Sequence, residues 1–427
     1  MNDLWQRTAE LRAQLDALCR TPPAPTFRPL HGADLIVTHC EINPRHGTGV
    51  LLQRLFAGNS RLLTIRSRDL FDGVQTFGAQ SLCLSQEGRS RQEAFAAVLN
   101  ALGGSRPARV LCVPYYPDDV LTALAVKEIY KDICEIPLCT YVMDDQNICV
   151  ESIPDALMAE LLAKSSLRLA ISSELQAAYE QKYGQKFWFL PPLVPTSLLL
   201  RSPLPETPVY PSNIGVVIGN IWGQEWLEHL RMVVRASGLR LHWYCSSGSW
   251  RSFLAFDPQE LQEDGIELYE PIACEADLVA EVRKYAFALV PSGILNSADN
   301  RAEIARLSLP SRIPFILATC GTPLIVLGST QTAAARFVQR FGVGVVCPYD
   351  ATALQQAVAE VGMPVRQLEL RRRATTLAPS FADEGGAEWI WKSLELGHAS
   401  TLQYEQLNSN AETLESFFSG ASREYQP

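Results

Sequence analysis

Between Pro191 and Pro211, seven of 21 residues are proline. That many missing N–H groups rule out a central strand or a helix interior, so the segment reads as a stiff connector. On either side of it the same pattern runs, with short β-rich stretches alternating with longer helical ones. Such alternation calls for a parallel sheet covered by helices on both faces. Before the connector, residues 34–40, 61–66, 81–84, 110–113, 138–142 and 167–171 read as strands, with helices near 49–57, 91–102, 120–130, 153–164 and 174–183. After it, strands are expected at 214–218, 240–245, 266–269, 287–290, 324–327 and 343–346, and helices near 225–236, 275–285, 312–319, 330–340 and 351–361.

The expected organisation is therefore α/β, with two Rossmann-like doubly wound domains facing a cleft. At about 150 residues per domain, 427 residues suggest two to three. The boundaries read from the pattern are 1–190 with an N-terminal amphipathic helix, a linker over 191–213, 214–365, a helical segment over 366–399, and a polar tail over 400–427. That tail is either mobile or a helix that needs a partner.

Composition narrows the function classes. The net charge of −9 disfavours a broad nucleic-acid-binding surface. The most apolar stretch, residues 314–328, is 15 residues long, short of the ~20 a membrane helix needs. The first twenty residues lack a secretory pattern, so a cytoplasmic location is expected. Eleven cysteines are an odd number without a C-x-x-C spacing, and Cys40, Cys83, Cys112 and Cys245 sit in strand-like runs. They read as buried free thiols.

Open α/β sheets bind ligands beyond the carboxyl ends of their strands, and that rule selects four loops. In the first, 43–50, Gly47 and Gly49 permit close backbone approach at a helix start, while His46 is either a proton carrier or a solvated side chain. A dinucleotide fingerprint fails here, because its third glycine would fall on Leu52. In the second, Asp144 and Asp145 end a strand, where carboxylates bind a metal, move a proton or accept sugar hydroxyls; adjacent side chains diverge, so one of the two points into a given site. In the third, Ser292 follows a buried strand, and Asp299, Asn300, Arg301 and Glu303 form a polar stretch. The fourth, Pro310-Ser311-Arg312, combines N–H donors, a hydroxyl and a guanidinium suited to a diphosphate; Ser311 as a plain N-cap with Arg312 on the surface is the other reading.

Taken in chain order over about residues 33–395, these pieces resemble the GT-B glycosyltransferases, specifically the large retaining family four. His46-Gly47-Thr48-Gly49-Val50 is similar to that family's glycine loop, Ala170-Ile171-Ser172-Ser173-Glu174-Leu175 to its strand-Ser-x-helix element, and Val216-Val217-Ile218-Gly219-Asn220 to the opening strand of its nucleotide domain. Val290-Pro291-Ser292, and Pro310-Ser311-Arg312 with Gly321-Thr322-Pro323, resemble its Pro-Ser turn and its diphosphate signature. The resemblance implies a UDP- or GDP-sugar donor in the second domain, a saccharide or lipid-linked acceptor at the first, and transfer with retention, without cofactor or metal. It places Ser311 and Arg312 at the diphosphate, Gly47 and Gly49 in close approach to donor and acceptor, and Asp144 at a polar contact to the donor sugar; Asn220, Ser292, Asp299, Arg301 and Glu303 complete the candidate donor contacts, and His46 joins Asp144 as a candidate for the chemistry. Two departures stand out. The family's paired glutamates would fall on Ser308 and Ile316, and Gly219-Asn220-Ile221-Trp222 lacks a basic residue.

Those departures keep a noncatalytic GT-B module, binding a nucleotide, a glycan or a partner enzyme, as the alternative. An epimerase or phosphorylase of the same fold ranks below it, and an NAD-dependent dehydrogenase lower still. A peripheral membrane contact through Arg54, Arg61, Arg66 and Arg68 is weighed against their being ordinary solvated residues.

Overall fold

The computed structural model describes residues 26–73, 77–202, 208–245 and 254–409. The expected N-terminal helix, Cys19 and most of the polar tail lie outside them. A seven-stranded sheet is built from β1 Ala33–Thr38, β2 Leu62–Arg66, β3 Gln80–Cys83, β4 Pro107–Cys112, β5 Leu138–Val142, β6 Leu167–Ala170 and β7 Trp188–Phe189, in the order β3-β2-β1-β4-β5-β6-β7. A six-stranded sheet follows from β8 Ile214–Ile218, β9 Arg240–Tyr244, β10 Ile266–Tyr269, β11 Ala288–Pro291, β12 Leu324–Leu327 and β13 Gly344–Cys347, in the order β10-β9-β8-β11-β12-β13. Every pairing between these strands is parallel. Parallel strands carry helices on both faces, and β1, β5 and β12 are accordingly buried along their whole length.

The helices begin and end where local chemistry dictates. Arg91–Leu102 opens on a reciprocal capping box between Ser90 and Glu93 and closes on Gly103 at φ 54°. The expected helix over 312–319 is instead four α-helical residues, Arg312–Phe315, widened into a π turn over Ile316–Cys320. There the N–H of Gly321 reaches back five residues to the carbonyl of Ile316 at 2.9 Å.

The short elements escaped the sequence reading. β7 has two residues, and the helices Pro258–Glu263 and Ala302–Leu307 have six each. Past β13 the chain crosses back to the first domain. Trp391, on helix Gly386–Leu396, packs against Phe56 with ring centroids 5.4 Å apart, and the N–H of Phe189 donates to Glu405 at 2.7 Å. The start of the supposed tail is thus an ordered helix, Gln403–Ser409, with Tyr404 and Leu407 buried, and this much of it is not free chain.

Candidate active site

In each sheet the strand order reverses once, between β1 and β4 and between β8 and β11. Loops from neighbouring strands diverge at such a point and leave a crevice beyond the carboxyl ends. The two crevices face each other as one cleft of about 780 Å³, a size suited to a ligand larger than a single sugar.

The first domain's wall is wired tightly. His46 caps the helix Gly47–Phe56 by accepting from the Gly49 N–H at 3.3 Å, while its Nε2 donates to the Glu41 carbonyl at 2.7 Å. Phe71 stacks on the imidazole at 5.0 Å. Glu41 fixes that stack by accepting from the N–H groups of Leu70, Phe71 and Gly73 at 2.7–2.9 Å. Burial raises the Glu41 pKa, but these bonds and one from its own backbone hold it below the usual carboxylate value. Burial also pulls the His46 pKa down, so the ring is neutral. His46 is a packed group and not a solvated one.

At the end of β5 the two aspartates diverge as expected. Asp145 turns its carboxylate onto the N–H groups of Asn147, Ile148 and Cys149 at 2.7–3.1 Å and shapes the loop. Asp144 faces the cleft and accepts from the Tyr115 hydroxyl at 2.6 Å, which lies 2.7 Å from Thr48 Oγ1. Burial raises the Asp144 pKa, and the hydroxyls of Tyr115 and Ser308 offset part of that rise. Behind Tyr115, Asp119 accepts from the N–H groups of Tyr115 and Tyr116 and from Ser67, and burial pushes it up to about 6.

Across the cleft the second domain presents Asn220, Ser292, Arg301, Glu303, Ser308, Ser311 and Arg312. The half-buried Arg312 donates from Nη1 to the carbonyls of Ile218 and Asn220 at 3.1 and 2.5 Å, while its buried Nε has no partner. Among the described residues no carboxylate pairs with it, and burial lowers its pKa to about 10. It is thus neither a surface group nor neutralised. Ser311 precedes the helix but makes no side-chain cap, and its Oγ lies 3.2 Å from where a Cβ on Gly47 would stand.

Two expected donor contacts do not line the cleft. Asp299 spends both oxygens within its own domain, on Trp226 Nε1 at 2.8 Å and the N–H groups of Ile294, Leu295 and Arg301 at 2.8–3.1 Å. It folds the loop that carries Arg301 and Glu303. Gly49 lies behind the wall, where a Cβ would come within 2.2 Å of the Asn43 carbonyl. Its role is internal packing and not approach to a ligand. Of the family's glutamate positions, Ser308 lines the cleft while Ile316 is buried, so Glu303 is the only carboxylate among the described lining residues of this wall.

The arginines weighed for a membrane contact are also engaged. Arg54 pairs with Glu275 across the domains and donates to the Leu193 carbonyl at 2.9 Å. Arg66 is buried on Asp69, Ser81 and the Gly73 carbonyl. Arg61 donates to the His31 carbonyl, and Arg68 lies over the Tyr116 ring at 4.0 Å. The ten described cysteines are free, though Cys149 and Cys274 are exposed. No helix among the described residues is long and apolar enough to cross a membrane. Sequence reasoning missed Tyr115 and Trp222, both on cleft-lining loops; the strand-end rule applied to β4 would have found the first.

No protein-family model matches the chain, and no curated protein matches it in sequence. Solved structures do. HepE of Anabaena, in complex with UDP and glucose, is similar over 85% of this chain and 99% of its own, with a TM-score of 0.57 at 11% identity. MurG of Acinetobacter baumannii is similar over 84% and 99%, with a TM-score of 0.51 at 12% identity. At these identities the likeness shows the fold, which is GT-B, two doubly wound domains about a cleft.

Proposed function

We propose that the protein transfers a hexose from a UDP- or GDP-sugar to a saccharide or lipid-linked acceptor, with retention at the anomeric carbon and without cofactor or metal at the diphosphate. The observation that carries this reading is Arg312, a half-buried cation with no carboxylate partner on the cleft wall of the second domain. A buried charge without a counter-charge is costly, and an anionic ligand removes that cost. A departing nucleoside diphosphate has the matching charge, and a fixed guanidinium stabilises it without reorganising. Ser311, Ser292 and Asn220 line the same wall, and Glu303 is the carboxylate among the described lining residues of that wall, suited to a ribose diol. On the opposite wall, Asp144 and His46 face the sugar and the acceptor. The similarly folded HepE is in complex with UDP and glucose, which supports a nucleotide-sugar donor as the ligand class.

A noncatalytic module stands as the second reading, because the family's second glutamate position holds the buried Ile316. The experiment that separates them is a thermal-shift screen against UDP, GDP, ADP and NAD, with and without EDTA, followed by an assay of donor hydrolysis and transfer. A rise in Tm with UDP or GDP that survives EDTA, together with turnover, is expected. Stabilisation without turnover leaves the noncatalytic module. Stabilisation by NAD alone overturns the donor assignment.

A further inference from the structure

Beneath the glycine loop three side chains converge, of which only His46 has a place in the proposed transfer. His39 and Cys40 follow β1, and His46 comes round from the N-cap of the next helix. Cys40 Sγ lies 3.1 Å from His39 Nε2 and 3.5 Å from His46 Nε2, and the three donor atoms all fall within 4.8 Å of one another. Among the described residues this is the only group of three or more His, Cys, Asp or Glu side chains close enough to share one ion.

A tetrahedral zinc ion holds imidazole nitrogens at ~2.0–2.1 Å and thiolate sulfur at ~2.3 Å, which sets neighbouring nitrogen and sulfur ligands roughly 3.5 Å apart. Both sulfur–nitrogen edges of the cluster are already near that spacing. We propose that His39, Cys40 and His46 form a site for a borderline-soft divalent cation of the zinc class, which fixes the loop joining β1 to the helix Gly47–Phe56.

The chemistry of the donors is right for such an ion. One sulfur and two imidazoles select against magnesium and calcium, which take oxygen ligands. His39 and His46 line the cleft, which gives the ion an entry path. Binding through His46 Nε2 takes the other tautomer of the ring, so a coordination bond replaces both the 2.7 Å bond to the Glu41 carbonyl and the 3.3 Å bond from the Gly49 N–H. This inference does not rest on sugar transfer, since the diphosphate contact assigned to Arg312 is on the other wall.

The test is titration of the metal-stripped full-length protein with Co²⁺, then competition by Zn²⁺. One equivalent giving a thiolate-to-cobalt charge-transfer band, displaced by Zn²⁺ and untouched by Mg²⁺, is expected. The band should vanish in Cys40→Ser and survive in the double variant Cys149→Ser, Cys274→Ser, which removes the exposed thiols. Zn²⁺ should raise the Tm of the wild type and have less effect on His46→Gln. If Cys40→Ser does not fold, X-ray absorption at the zinc edge of the loaded wild type decides, with one sulfur and two imidazole scatterers expected. No band from folded wild type, a band that persists in Cys40→Ser, or a zinc shell without sulfur overturns the site.

Discussion

The two walls of the cleft are built to opposite plans. On the first domain's wall the polar groups satisfy one another: Glu41 holds the Phe71 loop, His46 bridges Glu41 and Gly49, and Tyr115 sits between Thr48 and Asp144. On the second domain's wall, Arg312 keeps an unpartnered Nε, and the one ion pair of Glu303 among the described residues is with Arg301, at 4.0 Å. A wall whose hydrogen bonds are complete is preorganised, whereas one with an unanswered charge is completed by a ligand. The difference marks the second wall as the anion-binding side from physical grounds alone.

The largest effect should come from removing that charge. Arg312→Ala is expected to weaken UDP or GDP binding by about 1.5–3 kcal/mol, the range for a hydrogen bond to a charged group, read by calorimetric titration. Arg312→Lys keeps the charge but loses the planar guanidinium and its unpartnered Nε–H, so its affinity should fall between those of the wild type and Arg312→Ala. Affinity for the nucleoside diphosphate unchanged in Arg312→Ala would remove the asymmetry between the walls.

Next in size is a test of the prewired wall. A Cβ on Gly49 would lie 2.2 Å from the Asn43 carbonyl and 2.7 Å from His46 Nε2, so Gly49→Ala should lower stability by about 1–3 kcal/mol, the usual cost of overpacking. At Gly47 the nearest atom is Ser311 Oγ of the other domain, at 3.2 Å. Gly47→Ala should therefore leave the Tm nearly unchanged and act on the fit between the walls. Denaturant unfolding of both variants checks the contrast; equal destabilisation would mean that the loop is not wired as described.

Much of this architecture is legible in the sequence. All the strands of both sheets except β7 are there, with ends within three residues of those observed, because a doubly covered strand must be apolar along its length and flanked by breakers. The strand-end rule also finds the right loops, and Asp144, His46 and Arg312 do line the cleft. What the sequence hides is which way each polar side chain is spent. Asp299 and Asp145 look as available as Asp144, yet both are consumed by backbone N–H groups a few residues away. The alternative reading of Ser311 as a plain cap fails, because its backbone is already helical at φ −58° and ψ −23° and its side chain makes no cap bond. Arg54 looks like surface charge, but its partner Glu275 is remote in sequence, and Arg66, besides Asp69 three residues on, is held by Ser81 on the neighbouring strand. Satisfaction of polar groups depends on tertiary neighbours, and residue spacing carries little record of it.

The smallest effect at neutral pH, and the finest test of the first wall, concerns Tyr115. Burial raises the Asp144 pKa, and the Tyr115 hydroxyl, donating at 2.6 Å, is the first group that pulls it back. Tyr115→Phe removes that donor, so the Asp144 pKa should rise further and a higher pH is needed to ionise it. If transfer uses the carboxylate, the acid limb of the pH–rate profile moves to higher pH, while the rate on the plateau changes little. The stability sign follows from the same shift. A carboxyl whose folded pKa is raised loses stability as pH rises from its unfolded pKa to its folded pKa, and the loss is complete above the folded value. In Tyr115→Phe that loss should begin at the same pH as in the wild type, continue to a higher pH and be larger in total. Asp144→Asn should abolish both effects, since no proton is then exchanged at this position. An acid limb that stays in place in Tyr115→Phe, or near-wild-type transfer by Asp144→Asn, would make this pair part of the wall's wiring and not of its chemistry.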